Sequence, residues 1–286
     1  QTFKKQFPDV RIIYLSSLSN KKFLEQISVI DELILLNDTS FFSTIISTFS
    51  SIKLLLSKKT DLFVDLEMYS HFSKIFTLLS GASLKFGLTN SKSKDKGVYT
   101  SVFELHKDRP VSESYLEMCK TFSSAPLIHE LYDFKTDENV LRKIKERFKI
   151  SGQYLIVNPN ASDLRIERRW PKEKFSELTG KLVDLLPEFK IVLIGSPAES
   201  EFVNEVWYGI NESVKANVID TSGRLSIEEL ISLISGTELM ITNDTGPMHL
   251  AFAAHRPTIA LFGPASPIQF GNHSAVTAIY KKVACS

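Results

Sequence analysis

The chain has 286 residues, 43% of them hydrophobic, enough for two cores of ordinary domain size. Its 34 Lys and Arg nearly balance 33 Asp and Glu, so the sequence carries no broad electrostatic footprint for nucleic acid and any anion site must be local. Two cysteines, Cys119 and Cys285, lack metal-ligand spacing, and no apolar run approaches the roughly 20 residues of a membrane span, which fits a reducing, cytosolic setting.

Along the chain, short β-rich runs alternate with helical patterns, the signature of parallel βαβ units. The opening QTFKKQFPDV resembles the end of a helix feeding directly into a strand, and no initiator Met is present. Strands are expected at residues 11–16, 32–36, 61–67 and 83–88, with helices at 20–27, 39–57 and 69–79. TNSKSKDKG reads as a polar surface loop, a helix near 111–124 follows, and a polar stretch from Tyr132 to Asn139 leads into LRKIKERFKI. The alternation then restarts: YLIVNP, PKEKFSELTGKLVDLL, KIVLIG, ESEFVNEVWYGI, NVIDTSG, SIEELISLIS, ELMIT, PMHLAFAA and TIALFG. Ser226 and Glu229 form a capping-box pattern before an apolar face at 225, 227, 230, 231, 233 and 234. KKVACS stops soon after another strand, and the expectation is a piece trimmed at both ends. Two doubly wound α/β halves are expected, residues 1–134 and 135–286.

In open α/β sheets, ligands settle beyond the carboxyl ends of the strands. The polar clusters of the second half fall at those ends: NPNAS, GSPAE, TSGR, NDTGP and GPASP. In NDTGP, Gly246 removes a Cβ where a ligand could approach the main chain, and Pro247 suits a first helical position. The amides near Thr245 and Gly246 then make an anion site backed by the helix dipole. Asp244 would repel a bare phosphate but suits a ligand that also carries sugar hydroxyls; a plain helix cap is the alternative. In RIERRWP, three arginines crowd a helix start, a mismatch that an anion shared with NDTGP would resolve through Arg168 or Arg169. A solvated basic loop is the other reading. Glu199 could take a ribose hydroxyl or an adenine amine, or simply cap its helix. His249, in the first turn after Pro247, could donate to a ligand or a neighbouring loop, and Trp170 suits packing. The sequence has no Walker, dinucleotide-binding or nucleophile-elbow motif, and no Cys/His cluster fit for zinc.

RRWP, GSPAE and ITNDTGPMHLAFAAHRPTIALFGPASP, in that order, together with VDLEMYSHFSKIFTLLSGASLKFGL in the first half, resemble the bacterial glycosyltransferase family 9, the ADP-heptose:lipopolysaccharide heptosyltransferases. The resemblance implies a GT-B fold, two Rossmann-like domains facing a central cleft, with the acceptor on the N-terminal domain and the nucleotide sugar on the C-terminal one. It implies inverting, metal-independent transfer of a sugar, heptose by expectation, from an ADP-sugar to a lipopolysaccharide core-type acceptor. The donor is a substrate and no cofactor is implied. Carried over by position, Arg168 meets the donor diphosphate, Asp244, Thr245 and Gly246 hold sugar and phosphates, Glu199 lies near the nucleoside, and His249 is the motif histidine. Asn160 joins this donor-binding set, although NPNAS departs from the family's Pro-Gly-Ala type turn, so Asn158 and Asn160 could shift donor preference. The family's catalytic base is an Asp in a Gly-Asp loop after its first strand, and no residue here matches it; the implied base lies upstream of residue 1, and this piece is expected to bind donor but transfer poorly. A cytoplasmic location is implied, with peripheral attachment to the inner face of the inner membrane as an open option. Transfer from another nucleotide sugar, or donor binding without catalysis, are the alternatives.

Overall fold

The computed structural model describes residues 1–67, 70–89, 97–122, 127–128, 134, 137–161, 163–271 and 273–280. The chain divides into two compact units, Gln1–Glu130 and Leu131–Ser286. The SKSKDK segment, Cys285 and much of the stretch around residues 132–136 lie outside the described residues.

In the first unit, β1 (Ile13–Ser17) pairs in parallel with β2 (Glu32–Leu36), and β3 (Leu62–Asp65), β4 (Leu84–Thr89) and β5 (Ser101–Glu104) form a separate three-stranded parallel sheet. β2 matches its expected bounds, whereas β5 was not foreseen in the sequence: SVFE is four residues long and half exposed, too short and too weakly patterned to be read. The helix expected at 20–27 is a 3-10 turn, Leu18–Asn20, followed by Lys21–Leu24, and the helix expected near 111–124 ends at Lys120. Buried Asp65 organises the end of β3, its Oδ2 accepting from Tyr99 at 2.8 Å, Ser73 at 2.9 Å and Thr77 at 3.3 Å.

The second unit holds one six-stranded, all-parallel sheet. Its strands are β6 (Tyr154–Asn158), β7 (Lys190–Leu193), β8 (Val218–Asp220), β9 (Leu239–Asn243), β10 (Thr258–Phe262) and β11 (Val276–Tyr280), in the order β11-β10-β9-β6-β7-β8. Every residue of β6 is buried, the continuous apolar run that a strand covered on both faces requires. Leu155, Val157, Ile191 and Leu193 pack with Phe175, Val203 and Val206 from flanking helices into the main core. The expected capping box is present: Ser226 Oγ accepts from Glu229 N at 3.2 Å and Glu229 Oε2 accepts from Ser226 N at 2.8 Å. Chain order reverses between β6 and β9, so the loops leaving these two strands flank the sheet's topological switch point.

Candidate donor-binding site

β9 ends in Asn243, and a short helix, Gly246–Ala253, begins three residues later with Thr245 as its N-cap residue, one residue ahead of the start expected at Pro247. Thr245 does not cap that helix with its side chain. Its hydroxyl instead accepts from Asn158 Nδ2 at 2.9 Å, drawn toward the sheet. The helix mouth therefore keeps its backbone donors and the positive end of its dipole without a side-chain oxygen laid across them. A Cβ at Gly246 would meet no protein atom within 4 Å, and its φ is not positive, so neither packing nor strain calls for glycine there. A ligand lying against the main chain would.

The carboxylate of Asp244 sits beside this mouth, only 4% exposed, with Arg168 Nη1 3.2 Å from its Oδ2. The two do not meet in hydrogen-bonding geometry: among the described residues, Asp244 Oδ2 and Arg168 Nε are buried without a hydrogen-bond partner. Burial pushes the Asp244 carboxyl above the ordinary range, opposed by the charges of Arg168 and His249. His249, in the first turn of the helix, reaches solvent with its ring edge-on to Phe252 at 5.5 Å. Partial burial lowers its pKa, opposed by Asp244, which favours a neutral ring that can both donate and accept.

The basic loop before Trp170 folds as a 3-10 turn, Asp163–Arg168. Its two adjacent arginines take different roles, which corrects the expectation that either could serve. Arg169 donates to Ala161 O at 2.5 Å and stacks over Phe202 at 4.3 Å, a structural clamp. Arg168 points to Asp244, so the apparent misplacement of its charge is partly answered inside the protein. The next helix starts at Lys172, with Pro171 as its N-cap, and Trp170 meets Phe175 edge-on at 5.1 Å.

Asn160 and Glu199 stand differently. Asn160 is buried, its Nδ2 donating to Asn158 Oδ1 at 3.0 Å and to Ile194 O at 2.8 Å, which ties the loop after β6 to the end of β7; its Oδ1 has no partner among the described residues. It adjoins the site through Asn158 and Thr245. Glu199 closes a capping box with Ser196, whose amide donates to it at 2.8 Å, so its first role is the blander of the two expected. No contact joins it to Asp244 among the described residues.

Two residues that shape the site were given no role of their own in the sequence reading. Asn243, fully buried, donates from Nδ2 to Pro159 O at 2.9 Å and Asn160 O at 3.1 Å, while its Oδ1 accepts from Trp170 N at 3.3 Å. One carboxamide thus holds the loop after β6 and the segment carrying Arg168. Gly263, after β10, lies where a Cβ would come 3.0 Å from Glu167 O and 3.5 Å from Arg168 Cα, so that loop supports the arginine from behind. The Asn in NDTGP was a visible signal; Gly263 gave none beyond its turn-forming type.

Taken together, the site offers an arginine, an uncapped helix mouth, a buried carboxylate and a neutral histidine at a switch point. Among the described residues, no group of three His, Cys, Asp or Glu could hold a metal ion, and no helix is long and apolar enough to cross a membrane.

The model of glycosyltransferase family 9 (heptosyltransferase) matches residues 49–285. Lipopolysaccharide heptosyltransferase 2 of Escherichia coli (strain K12) is 35% identical over 100 residues, 35% of this chain and 28% of that protein. Lipopolysaccharide heptosyltransferase 1 of Campylobacter coli is 31% identical over 131 residues, 46% of this chain and 38% of that protein. The matched segments thus span well under half of these curated relatives. The solved E. coli ADP-heptose LPS heptosyltransferase II superposes with a TM-score of 0.82 at 22% identity, covering 99% of this chain and 85% of that one, which shows the GT-B class of fold. With its family model matched over 49–285, the chain belongs to glycosyltransferase family 9.

Proposed function

We propose that the second unit binds an ADP-sugar, heptose being the sugar the relatives' names suggest, and that the protein transfers it to a lipopolysaccharide core-type acceptor with inversion. The observation that carries this reading is the Arg168–Asp244 pair beside the uncapped mouth of the helix Gly246–Ala253. A bare phosphate site would exclude a buried carboxylate. A nucleotide sugar brings diphosphate oxygens for Arg168 and the amides of Thr245 and Gly246, and hydroxyl donors for the unpartnered oxygen of Asp244.

In this reading the acceptor hydroxyl attacks the anomeric carbon, the bond from that carbon to the diphosphate oxygen breaks, and the acceptor's proton passes to a base that is not among these site residues. Charge gathers on the departing nucleoside diphosphate. Arg168 and the helix-end amides stabilise it from fixed positions, worth more in a partly buried site than in water. His249, its ring favoured neutral by partial burial, can donate to or accept from the hydroxyls of the sugar that Asp244 orients. Asn160 shapes the floor of the site through Asn158, and Glu199 stands at the nucleoside end. The reading places the enzyme in the cytoplasm, at the inner face of the inner membrane where such acceptors are built.

Calorimetry with ADP tests the diphosphate placement. Arg168→Ala should weaken binding by about 1.5 to 3 kcal/mol, one to two decades in Kd, through loss of a charge-assisted contact. Unchanged affinity would remove the diphosphate from this place. A thermal-shift series of ADP, UDP and GDP reads the base: a largest shift with UDP or GDP replaces the adenine assignment while leaving the fold untouched.

A further inference from the structure

Asn158 is buried at the end of β6, between the loop that follows β7 and the mouth of the helix Gly246–Ala253. Its Oδ1 accepts from Asn160 Nδ2 at 3.0 Å, and its Nδ2 donates to Thr242 Oγ1 and to Thr245 Oγ1, each at 2.9 Å. The direction of this relay is fixed at its far end. Ile194 O can only accept, so the group of Asn160 that meets it at 2.8 Å is the NH2. The same NH2 then turns the oxygen of Asn158 toward itself and leaves the Asn158 amide facing the two threonines. The Thr245 hydroxyl is held from both sides, accepting from Asn158 and donating to Asn243 O at 3.4 Å.

That capture matters because Thr245 is otherwise set up to cap. It is the N-cap residue of the helix, its φ of −147° and ψ of 173° are the extended backbone of a capping residue, and threonine is a side chain that caps readily. Pro247 has no N–H, so the amide a capping hydroxyl would take is that of Met248, which now donates to Thr245 O at 3.1 Å. Released from Asn158, the hydroxyl would turn to that amide and lay its oxygen across the mouth, where the proposed site puts a diphosphate oxygen. Beside the mouth, the buried Asp244 Oδ2 has no hydrogen-bond partner among the described residues, which marks the same place as one that awaits a ligand. We infer that Asn158 is a positioning residue: by holding the Thr245 hydroxyl against the sheet it keeps the helix mouth uncapped for the donor's diphosphate, and Asn160 fixes it in that orientation. The inference rests on the proposed donor site and adds to it a residue that acts through Thr245.

Calorimetry with ADP on the 286-residue chain tests it in two backgrounds. Asn158→Leu keeps a branched side chain and removes the donor, and ADP should bind about fivefold more weakly, the mid-range of an N-cap contact that the nucleotide would have to displace. In a Thr245→Val background there is no hydroxyl to turn, so the same substitution should change the Kd by less than about twofold. If Asn158 only braced the loop, ADP binding would weaken equally in both backgrounds; that result, or an unchanged Kd for Asn158→Leu in the parent, would overturn the inference. Asn158→Ala takes the place of the leucine variant if that one folds poorly. A crystal structure of either variant without nucleotide reads the same inference independently of ADP. Thr245 Oγ1 should lie within hydrogen-bond distance of Met248 N, and a hydroxyl still against the sheet would overturn the inference as well. Failure of the parent chain to bind ADP is a separate outcome: it removes the donor reading itself, and the positioning role with it.

Discussion

Within the second unit, β6 is buried at every position and its carboxyl end is fastened by Asn158, Asn160 and Asn243; within the first, β1 is half covered throughout and, among the described residues, pairs with β2 alone. Both units use parallel strands joined by helices, yet they spend their polar residues differently. In the second, side-chain amides sit buried at strand ends and tie loop to loop. In the first, Ser51 and Leu55 are the buried positions of the helix Phe41–Ser57, while Phe41, Phe42, Ile46 and Phe49 meet solvent. A parallel sheet covered on both faces gives a rigid edge, and a rigid edge can hold a charged constellation to a fraction of an ångström.

The contrast can be broken most severely at Asn243. Asn243→Ala strands two buried loop carbonyls and frees the part-buried Trp170 amide, and urea unfolding should lose about 3 kcal/mol. ADP affinity should fall as well, since Arg168 is carried by the same segment. A smaller loss sharpens the comparison from the other side. In the first unit a Cβ at Gly87 would come 2.4 Å from the Tyr99 ring, itself held by its bond to Asp65, so Gly87→Ala should cost about 1 to 3 kcal/mol of stability while leaving ADP binding intact. The mildest effect is at Asp244. Its folded pKa is raised, so its burial stabilises the fold only where the carboxyl is protonated, below the unfolded value of about 4, and that contribution is lost as pH rises through the folded value. Asp244→Asn should therefore melt slightly higher than the parent near pH 7, with the gain shrinking toward pH 4, while its ADP-sugar affinity drops. That pair of outcomes would support the proposed role of Asp244 in orienting a sugar.

Much of this was legible in the residues. The alternation of strands and helices, the bounds of β2, the capping box at Ser226 and the cluster of polar strand ends follow from local chemistry that tertiary contacts do not override. The candidate site was readable as a set of residue types, Gly and Pro at a helix mouth and an arginine-rich loop expected to share an anion with it, but the meeting of Arg168 with Asp244 was not. What stayed hidden depends on partners distant in sequence. Arg168 and Arg169 are neighbours with equal claims until one meets Asp244 and the other Phe202. Asn243 looks like the end of a strand until the carbonyls of Pro159 and Asn160 arrive against it. The helix Phe41–Ser57 is rich in apolar residues, but only the fold says which of them meet solvent.

The grip of Asn243 on two separate segments also sets how the pocket floor breathes. With the residue 159–160 carbonyls and the Trp170 amide hung on one carboxamide, neither segment can lift alone without stranding the other. Amide protons of the loop after β6 and of Trp170 should then exchange with solvent at one shared rate, as a single opening. An incoming nucleotide would meet a floor already set, and so would spend little of its binding free energy on ordering it.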